Sequence, residues 1–319
     1  MTQRKGKETK DRWDMIHAVF PGVAMRETLP ALLWKENHTN PMSFQLEDHC
    51  GRRILEERKL DWVAGRPGFW MYLLSAFGSQ RRKEEETSDA FLFKPDFFKV
   101  LDGCEVLREK YPAEESLAAA AHFAGKPDEN LIPLVKRMQD ISALCQDITG
   151  SALLAASYYS MEELRMRLPV LEAMLRNPFG EGKRLQEITS IIMTADGGPA
   201  EGAKAIQLYL TLTKEGINCM EPGMNRMIGL LAIAASRPAA LAKELLSSAR
   251  GLLEGDGFLA AEGAFEGLTE CFFIAAFLWL LELLYSEEKK EELNPTAFTL
   301  FDQMEQEVRT ILLAACLGI

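Results

Sequence analysis

Apolar residues recur at intervals of three and four along most of this chain, the spacing that places side chains on one face of an α-helix. The clearest example lies between residues 199 and 237. Two apolar series occur there: Ala203, Ile206, Leu210 and Ile217, then Met224, Met227, Ile228, Leu231, Ala232 and Ala235. The alternation with period two that a half-buried strand would show is absent from this stretch. The pattern therefore predicts two helices.

The break between these two helices contains a glycine and a proline. Gly216 follows the first series, where many helices end in a left-handed conformation that glycine adopts without a Cβ clash. Pro222 cannot continue a helix, but it suits the first turn of a new one. The small residues Gly229, Ala234 and Ala235 should let a neighbouring helix approach closely. The stretch thus predicts one helix–turn–helix pair.

The same arrangement recurs from Phe91 onward, as a helix of mixed charge followed by a helix rich in Ala, Leu and Ile. Successive second helices lie roughly 35 to 45 residues apart, a period typical of helix–turn–helix repeats. The first helices are predicted at residues 98–109, 131–145, 164–176, 203–214 and 241–253. The second helices are predicted at residues 116–123, 151–158, 186–193, 225–234 and 272–280.

Stacking gives a physical reason for the repeats, because one helix pair cannot bury its apolar face alone. We predict an all-α fold, an array of helix–turn–helix pairs resembling an α-solenoid or α/α superhelix, with no sheet. Residues 295–317 should form a C-terminal capping helix. The alternative is an irregular helical bundle whose period arises by chance.

The polar run SQRRKEEETSD, residues 79–89, is the predicted domain boundary. It separates an N-terminal helical region, residues 12–89, from the helical-repeat region, residues 90–319. Residues 1–11 are polar and are expected to be a disordered tail. The alternative is that both regions form one continuous domain.

Several repeat segments resemble an uncharacterised bacterial family known as domain of unknown function 4003. The resemblance lies in FKVLDGCEVLREKYP (residues 98–112), SALLAAS, QEITSIIM, KAIQLYLTLTKEGI and MIGLLAIAA. These are apolar patterns rather than catalytic signatures. The resemblance therefore implies a bacterial helical protein, and it supplies no activity and no site residues.

The net charge and the cysteines indicate which partners and which cellular compartment to expect. The net charge of −11 opposes the phosphate contacts on which nucleic-acid binding depends, and it gives no support for binding to an anionic membrane. The six cysteines are scattered without a CxxC pair, which predicts buried free thiols in a reducing compartment. We expect a cytoplasmic protein.

No membrane-spanning or secretory segment is predicted. The N-terminus is basic and polar, and no apolar run follows it closely. The longest apolar run, residues 271–281, is shorter than the ~20 residues that span a bilayer. We interpret this run as a helix buried on nearly all sides.

No catalytic, cofactor-binding or metal-binding residues are predicted from the sequence. Phosphate-loop, dinucleotide-binding, nucleophile-elbow and zinc-protease motifs are absent. Asp48, His49 and Cys50 offer three ligand types, but consecutive helical residues point about 100° apart and cannot converge on one metal. His122 is interpreted as a cationic or hydrogen-bonding residue at a helix C-terminus.

The best carboxylate cluster consists of Glu262, Glu266 and Glu270, which share one helix face because they are four residues apart. These residues could receive a cation or a basic partner, or they could form a solvated helix face. Glu282 interrupts the most apolar helix, so it would need a nearby Lys or Arg if buried. Five aromatic residues are interpreted as core: Trp34, Trp62, Trp70, Tyr158 and Tyr159.

Three functions remain open. The favoured hypothesis is a non-enzymatic helical-repeat protein that binds a protein or peptide partner on a curved face, because stacked helix pairs offer extended surfaces. The second is an enzyme or small-ligand binder with a pocket between helices. The third is a structural subunit of a homo-oligomer. We expect no cofactor, no metal and no nucleic-acid partner.

Overall fold

The computed structural model describes residues 23, 25–33, 41–77, 93, 95–124, 130–254, 267–291 and 293–318. These residues contain sixteen α-helices, three short 3-10 or π segments and no strand. The all-α prediction is therefore confirmed for the described part of the chain.

The helices follow one another along the whole described sequence. They are α1 (Met25–Thr28), α2 (Pro41–Glu57), α3 (Pro67–Phe77), α4 (Pro95–Leu107), α5 (Ala113–Ala124), α6 (Leu131–Ser142), α7 (Ile148–Ala155), α8 (Met161–Phe179), α9 (Lys183–Thr194), α10 (Pro199–Lys214), α11 (Met224–Ala234), α12 (Pro238–Leu253), α13 (Leu268–Tyr285), α14 (Glu287–Glu291), α15 (Pro295–Phe298) and α16 (Glu305–Leu317). The short segments are Leu29–Leu33, Asp61–Val63 and Thr299–Gln303.

The chain divides into two compact units, Met1–Lys99 and Val100–Ile319. In the first unit, α3 packs against α1 and α2. The buried Trp70 donates its indole N–H to Asp48 Oδ1 at 2.6 Å. A Cβ on Gly51 would lie 2.5 Å from the same ring, so glycine lets α2 approach α3 closely. The predicted tail and the predicted boundary at residues 79–89 lie outside the described residues.

The second unit has an inner and an outer layer of helices. The predicted second helices are α5, α7, α9, α11 and α13, and each contacts the next. The predicted first helices α6, α8, α10 and α12 each pack on an inner helix, and α10 also contacts α8 and α12. All residues of α7 and α11 are buried, whereas the outer helices have one solvent face.

Glycines act as predicted in the α10–α11 pair. Gly216 has φ +85°, and the next amide, that of Ile217, donates to the Leu212 carbonyl at 3.0 Å. A Cβ on Gly229 would lie 3.2 Å from Ile191 Cγ2 on α9. The missing side chain therefore permits the close approach of α9 and α11.

The C-terminal segment is broken into α15, a π turn and α16. Helix α16 contacts both α11 and α5, and residues 307–316 are all buried. A terminal cap would keep one polar face in solvent. Instead, α16 closes a cycle of neighbouring helices, α5–α7–α9–α11–α16, and is surrounded by protein.

Among the described residues, α13 is the one helix long and apolar enough to cross a membrane by length and composition. It runs for 18 residues, longer than the predicted apolar core, and 61% of it is buried inside the protein. A core helix has the same length and composition, and the burial of most of α13 agrees with a core position. Glu282 on this helix forms an ion pair with Lys289, whose Nζ atom lies 2.8 Å from Glu282 Oε2. The sequence alone did not identify this partner.

Candidate functional site

A buried cluster of charged residues links three inner helices. Arg226 on α11 is 1% exposed, and its Nη2 atom lies 3.3 Å from both carboxylate oxygens of Asp147. The same nitrogen lies 3.5 Å from Glu187 Oε1 on α9. Because Asp147 is the N-cap of α7, one guanidinium group joins α7, α9 and α11.

Neighbouring polar groups complete the hydrogen bonds of this cluster. Thr149 donates its hydroxyl to Asp147 Oδ1 at 3.0 Å and accepts a hydrogen bond from Arg226 Nη2. Asp147 Oδ2 accepts the Gly150 amide at 2.9 Å, which caps α7. A Cβ on Gly150 would lie 2.7 Å from Ser190 Oγ, so the absence of a side chain brings α7 and α9 together.

Burial sets the protonation of the groups around Arg226. Burial raises the pKa of Glu187, although the positive charge of Arg226 acts in the opposite direction. Burial and the nearby Arg226 lower the pKa of His122 to about 3, so this histidine is neutral at pH 7. Its Nδ1 atom has no hydrogen-bond partner among the described residues. Of the two roles predicted for His122, the cationic one is therefore wrong, and its Nδ1 atom does not supply the hydrogen-bonding one.

The Arg226 cluster contains acid and base groups, but it lies in the interior. Arg226 and Asp147 are each 1% exposed, and Glu187 and His122 are also buried. Groups enclosed in this way fix the arrangement of helices rather than contact a solute. In the described part of the chain, no group of three or more His, Cys, Asp or Glu side chains is placed to hold a metal ion.

The loop between α7 and α8 is the second notable feature, because several hydrogen bonds hold it in place. Arg137 Nη2 donates to the Tyr159 carbonyl. The Tyr159 hydroxyl donates to Asp196 Oδ1 at 2.6 Å, and Arg167 Nη1 contacts both groups, at 2.8 and 2.9 Å. The Arg167 guanidinium also lies over the Tyr159 ring, 4.8 Å from its centroid.

This fixed loop presents Tyr158 to solvent with 91% of its surface exposed. The prediction that Tyr158 belongs to the core is therefore wrong, and Tyr159 is half-buried. Trp70 is buried as predicted, whereas Trp34 lies outside the described residues. An exposed aromatic residue on a rigid loop is typical of protein interfaces, because little conformational entropy is lost on binding.

Helix α8 follows this loop and carries apolar residues on two opposite faces. Its buried face consists of Leu164, Leu168, Leu171, Leu175 and Phe179. Its exposed face consists of Met166, Pro169, Val170 and Ala173, which we call the α8 stripe. The stripe has the helical spacing i, i+3, i+4, i+7, and Met166 and Val170 are 60% and 62% exposed.

The sequence explains why α8 begins where it does. Ser160 and Glu163 form a reciprocal capping box: the Ser160 amide donates to Glu163 Oε2 at 2.7 Å, and the Glu163 amide donates to Ser160 Oγ at 3.2 Å. The helix ends at Gly180, which has φ +78°. The α8 stripe is thus held on a helix with well-defined ends.

Helix α10 packs against the flank of α8 and also carries exposed apolar residues. A Cβ on Gly202 of α10 would lie 3.1 Å from Leu171 Cδ1 and 3.2 Å from Met174 Sδ on α8. The Phe179 and Tyr209 rings pack edge to face with centroids 4.9 Å apart. These contacts place α8 and α10 side by side and parallel, and Ala203 and Leu210 of α10 are also exposed.

The carboxylate cluster predicted from the sequence is only partly described. Glu262 and Glu266 lie outside the described residues, and Glu270 lies in the first turn of α13. Asp48 and His49, which were not expected to bind a metal together, have separate surroundings. Asp48 forms an ion pair with Arg52 at 2.9 Å, and His49 is exposed.

Sequence reasoning missed both the Arg226 cluster and the α8 stripe. The cluster joins residues up to 79 positions apart, and no local pattern connects them. The stripe had a local signal, because the second apolar series on α8 is visible in the sequence. Comparison of the chain with protein-family models, curated proteins and solved structures gave no match.

Proposed function

We propose that this chain is a non-enzymatic helical scaffold that binds a protein partner through the α8 stripe. The observation that carries the proposal is the exposure of Met166 and Val170 on adjacent turns of one helix. Single exposed apolar residues are normal on protein surfaces. A continuous series at helical spacing is typical of a helix that packs against another protein.

The position of the stripe supports this proposal. The inner helices α5, α7, α9 and α11 are covered by one another, by the outer layer and by α16. The surface that remains for a partner is therefore the outer layer, to which α8 belongs. Tyr158 lies just before α8 on a loop held by Arg137, Arg167 and Asp196, and it adds a rigid aromatic contact.

Quantitative affinity purification from the native cell tests the proposal. The bait is the full chain, as wild type, as Val170→Asp and as the control Leu253→Asp. Leu253 is an exposed apolar residue on α12, so the control introduces the same charge on another outer helix. Because a single-helix interface can be weak, the cells are chemically crosslinked before lysis. We expect a crosslinked protein that the wild type and the control retain in equal amount, and that Val170→Asp loses roughly tenfold or more.

Equal recovery with all three baits would contradict the proposal. So would retention of a small molecule without any crosslinked protein partner. Circular dichroism of each bait shows whether the substitution leaves the helices folded.

A further inference from the structure

Charged residues lie beside the α8 stripe, and positions about equally far from its centre carry charges of opposite sign. Glu162 lies at the N-terminal end and Arg176 at the C-terminal end, and both are exposed. Arg165 and Glu172 lie between them. With about 100° between successive residues, these four side chains occupy an arc of roughly 80° along one edge of the stripe.

The charged edge and the contact with α10 lie on different flanks of α8. Leu171 and Met174, which face Gly202 on α10, lie on the opposite flank of the helix. The edge therefore faces away from α10. A second helix could lie along the stripe from this side and contact the charges and the apolar residues together.

We infer that the partner of the α8 stripe is α8 of a second copy of this chain, packed antiparallel about a two-fold axis near Pro169. This inference rests on the proposed function and names its partner. A two-fold interface brings each patch against itself, so its surface must be self-complementary. The charges along α8 meet that condition, because residues about equally far from Pro169 on its two sides carry opposite charges.

The antiparallel arrangement sets the pairs. Glu162 lies seven residues before Pro169 and Arg176 lies seven residues after it, so each Glu162 faces Arg176 of the second copy. Arg165 comes within about one residue, or ~1.5 Å along the axis, of facing Glu172 of the second copy. Met166 is offset by the same amount from Ala173 of the second copy. Opposite charges thus meet beside an apolar seam.

The size of the interface sets the expected affinity. A helix of 19 residues is about 28 Å long, so one helix pair gives a small interface. Interfaces of this size are weak and reversible, and we expect a dissociation constant on the order of micromolar.

Sedimentation velocity of the full chain, over about 1 to 200 µM, tests the inference with matched variants. Glu162→Arg and Arg176→Glu each place like charges opposite each other and should weaken the dimer roughly tenfold. The double variant Glu162→Arg with Arg176→Glu restores opposite charges and should return to within about threefold of wild type. Val170→Asp should give a monomer, and Leu253→Asp should dimerise like wild type.

A wild type that stays monomeric throughout this range overturns the inference. A double variant whose loss equals the combined losses of the single variants also overturns it, since the two charges would then not face each other. If the chain is monomeric while Val170→Asp still loses a cellular partner, the proposed function stands and the second-copy inference fails. If Val170→Asp changes neither dimerisation nor partner recovery, both fail.

Discussion

Replacing Arg226 by methionine tests whether the buried charges of the inner layer are held together by this one side chain. Arg226→Met keeps most of the volume and removes the positive charge that lies 3.3 Å from Asp147 and 3.5 Å from Glu187. With an effective dielectric constant of about 20, each contact corresponds to about 5 kcal/mol of gross Coulomb attraction. Much of this attraction offsets the cost of removing the charges from water.

The net effect of Arg226→Met is therefore smaller than the gross attraction. Removal of one partner from a buried ion pair typically costs about 3–5 kcal/mol, because the remaining charge stays buried without compensation. We expect a loss of this size in the free energy of unfolding at pH 7, against a total of about 5–15 kcal/mol for a typical domain. Urea unfolding followed by far-UV circular dichroism measures it.

The loss should depend on pH through Glu187. Burial raises the pKa of this carboxyl and Arg226 lowers it, so Arg226→Met raises the pKa further. Between the unfolded-state pKa of ~4.3 and the raised folded-state pKa, the folded state binds more protons than the unfolded state. The stability therefore falls as pH rises through this range. The cost of Arg226→Met should thus be smaller at about pH 5 than at about pH 8.

Two further variants make the experiment decisive. Arg250→Met removes an exposed ion pair to Glu215 at 2.8 Å and should cost less than about 1 kcal/mol. A triple variant, Arg226→Met with Asp147→Asn and Glu187→Met, removes all three charges and keeps an N-cap for α7. It should be at least ~2 kcal/mol more stable than Arg226→Met alone. A cost below about 1 kcal/mol for Arg226→Met, or no recovery in the triple variant, would refute the reasoning.

Three other predictions concern the interior. The pKa of His122 falls from 6.5 to about 3 on folding, so stability is lost as pH falls through this window. His122→Leu should therefore remove about 3 kcal/mol of acid destabilisation in urea unfolding at pH ~4. Iodoacetamide at about pH 8 should label only Cys50 in the folded chain, because the other five thiols are buried. After unfolding it should label all six. Rapid labelling of a second thiol before unfolding would contradict this prediction. Gly150→Ala should cost about 1–3 kcal/mol in urea unfolding, because its Cβ meets two side chains closer than 3 Å. Gly198→Ala meets nothing within 4 Å and should cost less, about 0.5 kcal/mol, because alanine is a poorer N-cap residue than glycine.

The helices could be predicted from the sequence because each depends on local spacing. The series from Met224 to Ala235 gave α11 almost to its ends, and Gly216 ended α10 in the predicted left-handed conformation. Stacking also predicted that consecutive second helices are neighbours. These features follow from periodicity and from backbone sterics, which act within a few residues.

The Arg226 cluster could not be predicted, because its members come from different helices. Glu187 and Asp147 lie 39 and 79 residues from Arg226 along the chain. Each directly follows a glutamine in the sequence, and no local motif distinguishes it from its polar neighbours. For His122, a local signal was present but misleading. Its place near a helix end suggested a cationic or hydrogen-bonding residue, but its side chain is buried in the interior, where it stays neutral. Tertiary packing decides both cases.

Closure of the inner layer by α16 determines which surface remains for a partner. Helix α16 contacts α5 and α11, so the faces that an open array would expose are used within the chain. In the described residues, the inner helices α5, α7, α9, α11 and α16 contribute no exposed large apolar side chain. The outer helices contribute several: Ile132, Met166, Val170, Leu210 and Leu253. The proposed binding function therefore places the partner on the outer layer, where α8 alone among the described helices has two of these side chains on adjacent turns.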